Sequence, residues 1–416
     1  MLDVYVAKQL VGVLDQPDAY TFVFNYLPDA PSALPVSLLM PKRTESWVSR
    51  ALHPVFQISL PEGALRELII RKFGKHVEHF GDLELLAVVG ENMIGRIQVT
   101  PHGQPLAGLT PHESLSKLIQ EDTTNLVKHY LGDRLHESGV SGGLIKFLAK
   151  SPTQYHDGRT TLALEDWIIK LNDDDHPHIV LIEYFGMMAA RAAGLNVPEV
   201  HLSKDRKHLL VKRFDLTSEG SRLGFEDMCA LLGLSARDKF AGSVERVIKT
   251  IGTYCQGGEI KNSLDQFFGQ YLLASTIRNG DAHLKNFGLI YDDLNSTKLA
   301  PNYDMLSMSV YAPTLPNSDD ADDGLALNFG GSKRWLTAKT IKELANQCLI
   351  STKSLNAWET RIAGALVETS KKVIEFLDEH PGDDVAPMAK RMLTLWAIGL
   401  EPFDGEAAQR IKDLTS

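Results

Sequence analysis

Two hydrophobic periodicities divide the chain, and this division constrains the fold more than any other feature of the sequence. Over about the first hundred residues the apolar residues alternate as in β-strands, as in Asp3–Val13 and Tyr20–Tyr26, and we expect Leu85–Val89 and Ile94–Val99 to form a hairpin. After Asp215 the spacing becomes helical, in Phe225–Leu234, Ser243–Tyr254, Leu264–Asn279, Ala338–Leu349, Ser354–Glu379 and Ala386–Gly399. The sequence therefore predicts an α+β fold, β-rich in its N-terminal half and mostly helical in its C-terminal half.

Charge and cysteine content exclude several classes of protein. The 416 residues include 43 Lys and Arg against 53 Asp and Glu, a net charge of −10, which disfavours direct binding to DNA phosphates. The 3 cysteines are widely spaced, which argues against a disulfide framework or a cysteine-based zinc module. Because no apolar run reaches about 18 residues and the start of the chain lacks a basic signal region, we expect a cytoplasmic enzyme of two or three domains.

The densest group of polar side chains lies at residues 279–286, in a loop that we expect to follow a buried helix. Asn279-Gly280 is typical of a helix end, because glycine tolerates the left-handed conformation. Asp281 and Asn286 are five residues apart, and a strand–turn–strand pattern then leads to Asp304. Phosphoryl transfer needs one carboxylate beside the attacking hydroxyl, and an amide oxygen and a second carboxylate on the metal. This order favours a phosphoryl-transfer loop over a solvated helix cap, although an Asp and an Asn at this spacing also occur by chance.

Three further segments could contact a nucleotide. The glycines within Gly139–Gly143 let backbone N–H groups approach phosphates and Lys146 adds a positive charge, but the segment lacks the ending of a Walker loop. Lys170 ends an apolar strand and can pair with Glu183 on the next helix, as a strand lysine and a helix glutamate do in protein kinases. The backbone of Val211–Asp215, which we call the hinge, can bind an adenine edge in a cleft. Each segment alone is more typical of an ordinary loop or strand, but together they follow the chain order of a kinase.

The same residues resemble the HipA family of bacterial toxin kinases. The specific part is NGDAHLKNF at residues 279–287, followed by LAPNYDM at 299–305 and preceded by SGVSGGLIK, WIIK and VKRFD. The start of the chain agrees, with LDVYVAKQLVG and PVSLLMP, and so does AARAAGLNVPEVHL before the hinge. The resemblance covers about residues 2 to 350.

This resemblance implies an ATP- and magnesium-dependent serine/threonine kinase with a protein-kinase-like two-lobed fold. It implies that Asp281 is the catalytic base and that Asn286 and Asp304 are the magnesium ligands. It places the nucleotide against residues of the phosphate loop, the strand lysine, the hinge and the catalytic loop: Val140, Ser141, Gly142, Gly143, Lys146, Lys170, Lys212, Arg213, Phe214, His283, Lys285 and Tyr303. The domains that we expect are a β-rich N-terminal subdomain at 1–105, the kinase N-lobe core at 106–214 and the helical C-lobe at 215–416.

Partners and regulation are also implied by the resemblance. Members of the family pair with a small helix-turn-helix antitoxin that represses their operon, so we expect this chain to reach DNA only through such a partner. The characterised substrates are aminoacyl-tRNA synthetases, which makes a translation component the expected target. Family members also phosphorylate a serine of their own phosphate loop. Seven residues before Lys146 this chain has Gly139, so the candidates here are its neighbour Ser138 and Ser141 within the loop.

Two other functions stay open. Because the phosphate loop departs from the family, with Gly139 where other members have a serine, a kinase-like corepressor that binds nucleotide without catalysis is one alternative. The presence of Asp281, Asn286 and Asp304 argues against it. A kinase of small molecules on the same architecture is the second alternative. The acidic runs Asp173–Asp175 and Asp319–Asp323 lack the spacing of a metal site, and we interpret both as solvated surface loops.

Overall fold

The computed structural model describes residues 1–61, 66, 69–70, 74, 80–106, 115–122, 154–156, 159–163, 167–172, 175–382 and 384–415. The chain separates into two compact units. Unit 1 consists of Met1–Asp175, Glu199–Arg237 and Leu289–Ser296, and unit 2 consists of His176–Pro198, Asp238–Gly288 and Thr297–Ser416. The chain therefore passes between the two units several times.

Unit 1 begins with a five-stranded sheet in the order β4-β3-β2-β1-β5. Its strands are β1 Leu2–Val6, β2 Gln9–Asp18, β3 Thr21–Tyr26, β4 Trp47–Ser49 and β5 Ile97–Pro101. The pairs β1–β2, β2–β3, β3–β4 and β1–β5 are all antiparallel. Ala7 and Lys8 connect β1 to β2 with φ values of 48° and 64°, which is the left-handed geometry that a two-residue hairpin turn needs. Asp3–Val13, whose alternation suggested a single strand, is therefore two strands joined by this turn, and four of the five residues of β1 are buried.

The hairpin expected for Leu85–Val89 and Ile94–Val99 is wrong. Leu85–Val89 belongs to helix α2 (Asp82–Val89), which follows the short helix α1 (Pro54–Gln57). Glu84 accepts the Gly81 N–H at 2.8 Å and so helps to start α2. Buried leucine and valine side chains occur all along α2, so its continuous apolar run reflects burial of the helix rather than strand alternation.

A second sheet in unit 1 has the order β6-β7-β8-β10-β9. Its strands are β6 Gln154–His156, β7 Arg159–Ala163, β8 Trp167–Leu171, β9 Val200–Leu202 and β10 His208–Lys212, in antiparallel pairs. Helix α3 (Leu115–Gln120) buries Leu118 against Trp167, Ile169 and Leu210. Further elements are β11 Gly224–Asp227, helix α5 Met228–Leu231 and β12 Gly288–Tyr291, of which all but Gly288 lie in this unit. Phe225–Leu234, expected to be one helix, is therefore a strand followed by a single helical turn.

Most of the regular elements of unit 2 are helices. Its elements are α4 Ile179–Ala192, α6 Val244–Tyr254, α7 Gly258–Thr276, β13 Lys298–Leu299, α8 Ala338–Gln347, α9 Thr352–Glu379, α10 Ala386–Leu400 and α11 Gly405–Thr415. The core contains fully buried Trp358 and Trp396 together with Phe267 and Phe268. A Cβ on Gly269 of α7 would lie 2.5 Å from the Trp358 ring, so α7 and α9 are in close contact there. In the part of the chain that the structure describes, no helix combines the length and the apolar character needed to cross a bilayer.

Candidate active site

The site is built on the C-terminal end of helix α7 in unit 2. Asn279 N–H donates to Ala274 O at 2.8 Å, and Arg278 N–H donates to Ser275 O at 3.2 Å. These two bonds form a Schellman cap, in which Arg278 has a φ of 58°. The sequence suggested that Gly280 takes the left-handed conformation at this helix end, but in the structure Arg278 takes it. Gly280 is needed for space instead, because a Cβ there would lie 2.1 Å from the Asp323 carboxylate.

Asn279 connects the start of the loop to the segment that contains Asp304. Its side chain is buried, its Oδ1 accepts the Asp281 N–H at 3.2 Å, and its Nδ2 donates to the Asp304 carbonyl at 3.2 Å. One amide thus bonds both segments at once. Sequence reasoning misses this role, because in the sequence Asn279 reads only as part of a helix end.

Asn286 makes the second connection between these segments. Its Oδ1 accepts the His283 N–H at 2.9 Å, and its Nδ2 donates to Asp304 Oδ2 at 3.1 Å. The loop turns into a short 3-10 helix at Leu284–Asn286, and Leu284 N–H donates to Lys239 O at 3.1 Å. Asn286, five residues after Asp281, therefore directly contacts the carboxylate of Asp304.

The loop is solvent-accessible mainly at its first carboxylate. Asp281 is partly exposed, whereas the His283, Lys285 and Asn286 side chains are buried. Tyr303 Oη donates to Lys285 O at 2.9 Å, so Tyr303 packs against the loop backbone. This arrangement leaves a carboxylate accessible to a substrate and supports the other side chains with protein contacts.

Asp304 reaches the loop in a strained conformation. Its φ is 54°, a region that costs on the order of 1 kcal/mol for a residue with a Cβ and that is frequent at functional sites. Behind it, Met305 O lies so close to α4 that a Cβ on Gly186 would be 2.1 Å away. The glycine in α4 therefore permits the position of the Asp304 segment.

The donor set fits a hard cation such as magnesium. Asp304 offers carboxylate oxygens, and Asn286 Oδ1 has a second lone pair beyond the one that accepts the His283 N–H. Oxygen atoms of these two kinds are the ligands that Mg²⁺ prefers. The Asn286 and Asp304 side chains are in contact through Asn286 Nδ2, so the two residues that would supply these oxygens are neighbours.

The predicted residues of the strand and the hinge lie in unit 1. Lys170 is buried in β8, one residue before the end of the strand, and pairs there with residues of β7 and β10. Lys212 is exposed and its Nζ lies 3.5 Å from a Glu199 carboxylate oxygen. Phe214 packs edge-on against Phe225 with ring centroids 5.4 Å apart.

Arg213 uses its side chain within unit 1. The buried guanidinium donates from Nε to Asp215 Oδ1 at 3.0 Å and from Nη2 to Asp215 Oδ2 at 2.5 Å, and Nη2 also donates to Met93 O. Gly95 N–H donates to Asp215 Oδ2 at 2.7 Å. Burial alone would raise the pKa of Asp215, but the charge and hydrogen bonds of Arg213 and the Gly95 N–H together lower that pKa. The hinge segment is therefore fixed by an ion pair.

The predicted phosphate-loop residues Val140, Ser141, Gly142, Gly143 and Lys146, and the candidate serine Ser138, lie outside the described residues. The same holds for Asp173 and Asp174 of the first acidic run. The assignments made for these positions stay predictions.

The second acidic run is the surface loop that we expected at Asp319, Asp322 and Asp323, which are exposed, but not at Asp320. Asp320 is largely buried and accepts two hydrogen bonds from Arg278, at 3.1 and 3.0 Å. Asp323 accepts from Ser309 Oγ at 2.7 Å and lies against Gly280. The sequence shows only that this segment is rich in aspartate; it does not indicate that Asp320 pairs with Arg278.

Family models match most of the chain. The model described as the HipA N-terminal domain matches residues 2–100, and the model described as the HipA-like C-terminal domain matches residues 138–399. The chain belongs to the HipA family. This HipA-family chain is 27% identical over 311 residues to Y4dM of Sinorhizobium fredii, a protein named provisionally as a kinase, covering 70% of this chain and 69% of that protein. It is 25% identical over 340 residues to the serine/threonine-protein kinase toxin HipA of Shewanella oneidensis, covering 74% and 76% of the two chains.

A solved structure confirms the predicted fold class. The HipA-family chain matches a chain from the complex of HipA, HipB and operator DNA of Shewanella oneidensis MR-1 with a TM-score of 0.69 and 18% identity, over 99% of both chains. The α+β fold with a sheet-rich first half and a helical second half is thus that of HipA. Relatives in this family are named as kinases, so the family to which the chain belongs is a kinase-like family.

Proposed function

We propose that this HipA-family chain is an ATP- and magnesium-dependent serine/threonine protein kinase. The observation that carries the proposal is the bonded set in unit 2, in which Asn279 and Asn286 connect the Asp281 loop to Asp304. A helix-capping loop with solvated polar residues would not need two buried amides that contact a second segment. Phosphoryl transfer needs this juxtaposition, because positioning and electrostatic stabilisation supply most of its acceleration.

Each residue has a distinct role in the proposed reaction. Asp281, the accessible carboxylate, accepts the proton of the substrate hydroxyl as that oxygen attacks the γ-phosphorus. Asn286 and Asp304 hold magnesium, which neutralises charge on the phosphate oxygens when it is bound. Asn279 keeps the Asp281 backbone in register with Asp304. We further propose that the nucleotide contacts the backbone of residues 283–285 beside Tyr303.

We propose the toxin of a toxin–antitoxin pair as the biological role. The solved relative forms a complex with HipB and operator DNA, and a relative from Shewanella oneidensis is named a serine/threonine-protein kinase toxin. A small antitoxin of the HipB kind is therefore the proposed partner, with DNA contacted through it, in agreement with the net charge of −10. The proposed substrate is a translation component such as an aminoacyl-tRNA synthetase. Autophosphorylation at Ser138 or Ser141 is part of the same proposal.

Transfer from radiolabelled ATP tests the proposed chemistry. The purified full-length protein is incubated with a cell extract, and Asp281→Ala is expected to lower protein labelling by about 10²–10⁴-fold. Asp413→Ala is the matched control, since Asp413 is an acidic residue whose carboxylate accepts a hydrogen bond from Gln409 within α11, away from the loop. Label in small metabolites rather than in protein bands would instead identify a small-molecule kinase.

Calorimetric titration with ATP and magnesium separates binding from transfer. Asp304→Ala is expected to lose magnesium-dependent nucleotide binding, whereas Asp281→Ala keeps it, because only the former residue is a proposed ligand. Nucleotide binding without any labelling by the wild-type protein would identify the non-catalytic corepressor. Magnesium-dependent binding that is unchanged in Asp304→Ala would remove this residue from the metal site.

A further inference from the structure

We propose that the Arg278–Asp320 ion pair positions the catalytic loop; this inference rests on the proposed kinase function. Arg278 lies three residues before Asp281, and its backbone forms the left-handed cap of α7. Asp320 belongs to the segment that follows Asp304. The pair therefore joins the start of the loop to the chain beyond the second carboxylate, within unit 2.

The geometry of the pair is that of a strong, specific contact. Arg278 Nε and Nη2 donate to the two Asp320 oxygens at 3.1 and 3.0 Å, a bidentate arrangement. The Arg278 side chain is 6% exposed and the Asp320 side chain 17%, so water screens the pair less than it screens a surface salt bridge. Nη1 donates to Ser275 O at 3.3 Å, and the Trp335 ring lies 5.0 Å from the guanidinium. These contacts fix the side chain on both sides of the cap.

The backbone of Arg278 is connected to the same segment. Ser309 N–H donates to Arg278 O at 3.1 Å, and Ser309 Oγ donates to Asp323, whose carboxylate lies against Gly280. Asp320 therefore contacts Arg278, and Asp323 lies against Gly280, so the same segment contacts two of the three residues before Asp281. A shift of this segment would move the backbone that orients the catalytic carboxylate.

Asp320 is itself held in a compact turn. Its N–H donates to Ser318 Oγ at 3.1 Å, Leu315 N–H donates to Asp320 O at 2.9 Å, and Ala321 N–H donates to Asp320 Oδ1 at 2.9 Å. Many protein kinases order the corresponding kind of segment by adding a phosphate that pairs with an arginine. Here a genetically encoded carboxylate provides the anion, so the loop is positioned without phosphorylation of this segment.

The test compares Asp320→Asn with Asp319→Asn in the full-length protein. Both variants remove one negative charge from the same segment, but Asp319 is exposed and no ion pair involves it among the described residues. For Asp320→Asn we expect kcat to fall by about 10–100-fold with an unchanged KM for ATP, because a shift of about 1 Å misaligns the base without altering nucleotide contacts. Asp319→Asn is expected to keep the wild-type kcat.

Hydrogen–deuterium exchange provides a readout that does not depend on activity. Asp320→Asn is expected to speed exchange in a peptide spanning residues 278–286 and to leave α10 and α11 unchanged. Equal kcat and equal exchange in the two variants would overturn the inference, as would a fall in kcat accompanied by faster exchange throughout unit 2. If the wild-type protein transfers no phosphate, the proposed function fails, and exchange at 278–286 alone decides whether the pair positions the loop.

Discussion

Replacing Gly186 by alanine tests whether close packing of α4 fixes the Asp304 segment. The added Cβ would lie 2.1 Å from Met305 O, whereas ordinary contact begins at 3.4 Å, so helix and segment must separate by about 1.3 Å (3.4 minus 2.1). The added Cβ is fixed to the helix backbone and the Met305 oxygen is a backbone atom, so neither can rotate away as the end of a side chain can. Overpacking of this kind costs about 1–3 kcal/mol of folding free energy. A displacement of that size also breaks the 3.1 Å bond between Asn286 and Asp304.

The same glycine-to-alanine substitution at Gly364, elsewhere in unit 2, is expected to change the free energy of unfolding in the opposite direction. Gly364 lies on the exposed side of α9, and a Cβ added at this position would have no other atom within 4 Å. Gly364→Ala is therefore expected to stabilise the protein by about 0.5–1 kcal/mol through helix propensity.

Urea unfolding measures the free energy of unfolding of both variants, and transfer from labelled ATP measures their activity. For Gly186→Ala we expect destabilisation together with a loss of up to about 100-fold in kcat, as expected when a catalytic group moves by about 1 Å. Gly364→Ala should keep full activity. A Gly186→Ala protein with wild-type stability and activity would refute the claim that this contact determines where Asp304 lies.

Two further substitutions test contacts beside the site and in the hinge. Asp215→Asn leaves the buried charge of Arg213 uncompensated and is expected to lower the free energy of unfolding by about 3–5 kcal/mol in urea denaturation. Because the pKa of Asp215 is lowered in the folded protein, its contribution is present above its unfolded pKa of about 3.9 and is lost as the pH falls towards the folded value, so Asp215→Asn should flatten the acid limb of the stability profile. Gly280→Ala is expected to lower activity by forcing the Asp323 carboxylate away, and Asp323→Ala in the same chain should recover part of it; no recovery would show that space is not the reason for the glycine.

Local pattern was sufficient to predict most of unit 2. The helices expected at Ser354–Glu379 and Ala386–Gly399 are present with ends shifted by at most two residues, because each buries one apolar stripe. The prediction failed where burial removed the periodicity. Leu85–Val89 is a helix in the core, and its continuous apolar run does not distinguish a buried strand from a buried helix. The turn at Ala7-Lys8 lacks the Asn-Gly signal, so only the pairing of β1 with β2 reveals it.

For the candidate site, too, the sequence predicts what depends on neighbouring residues and misses what depends on residues far apart in the chain. The spacing of Asp281 and Asn286 is a local property, and chain order alone was enough to expect Asp304 near them. What holds these residues together depends on contacts between segments far apart in the chain, such as Arg278 with Asp320 across 42 positions. A single sequence contains no signal that pairs one acidic residue among several with one arginine. This is why the sequence favours a solvated loop for Asp320, although the structure places it against the cap that precedes the proposed base. The chemistry of such a site can be read from a motif, but its positioning requires the fold, and variants of the supporting residues are therefore the sharper test of how this kinase-like site works.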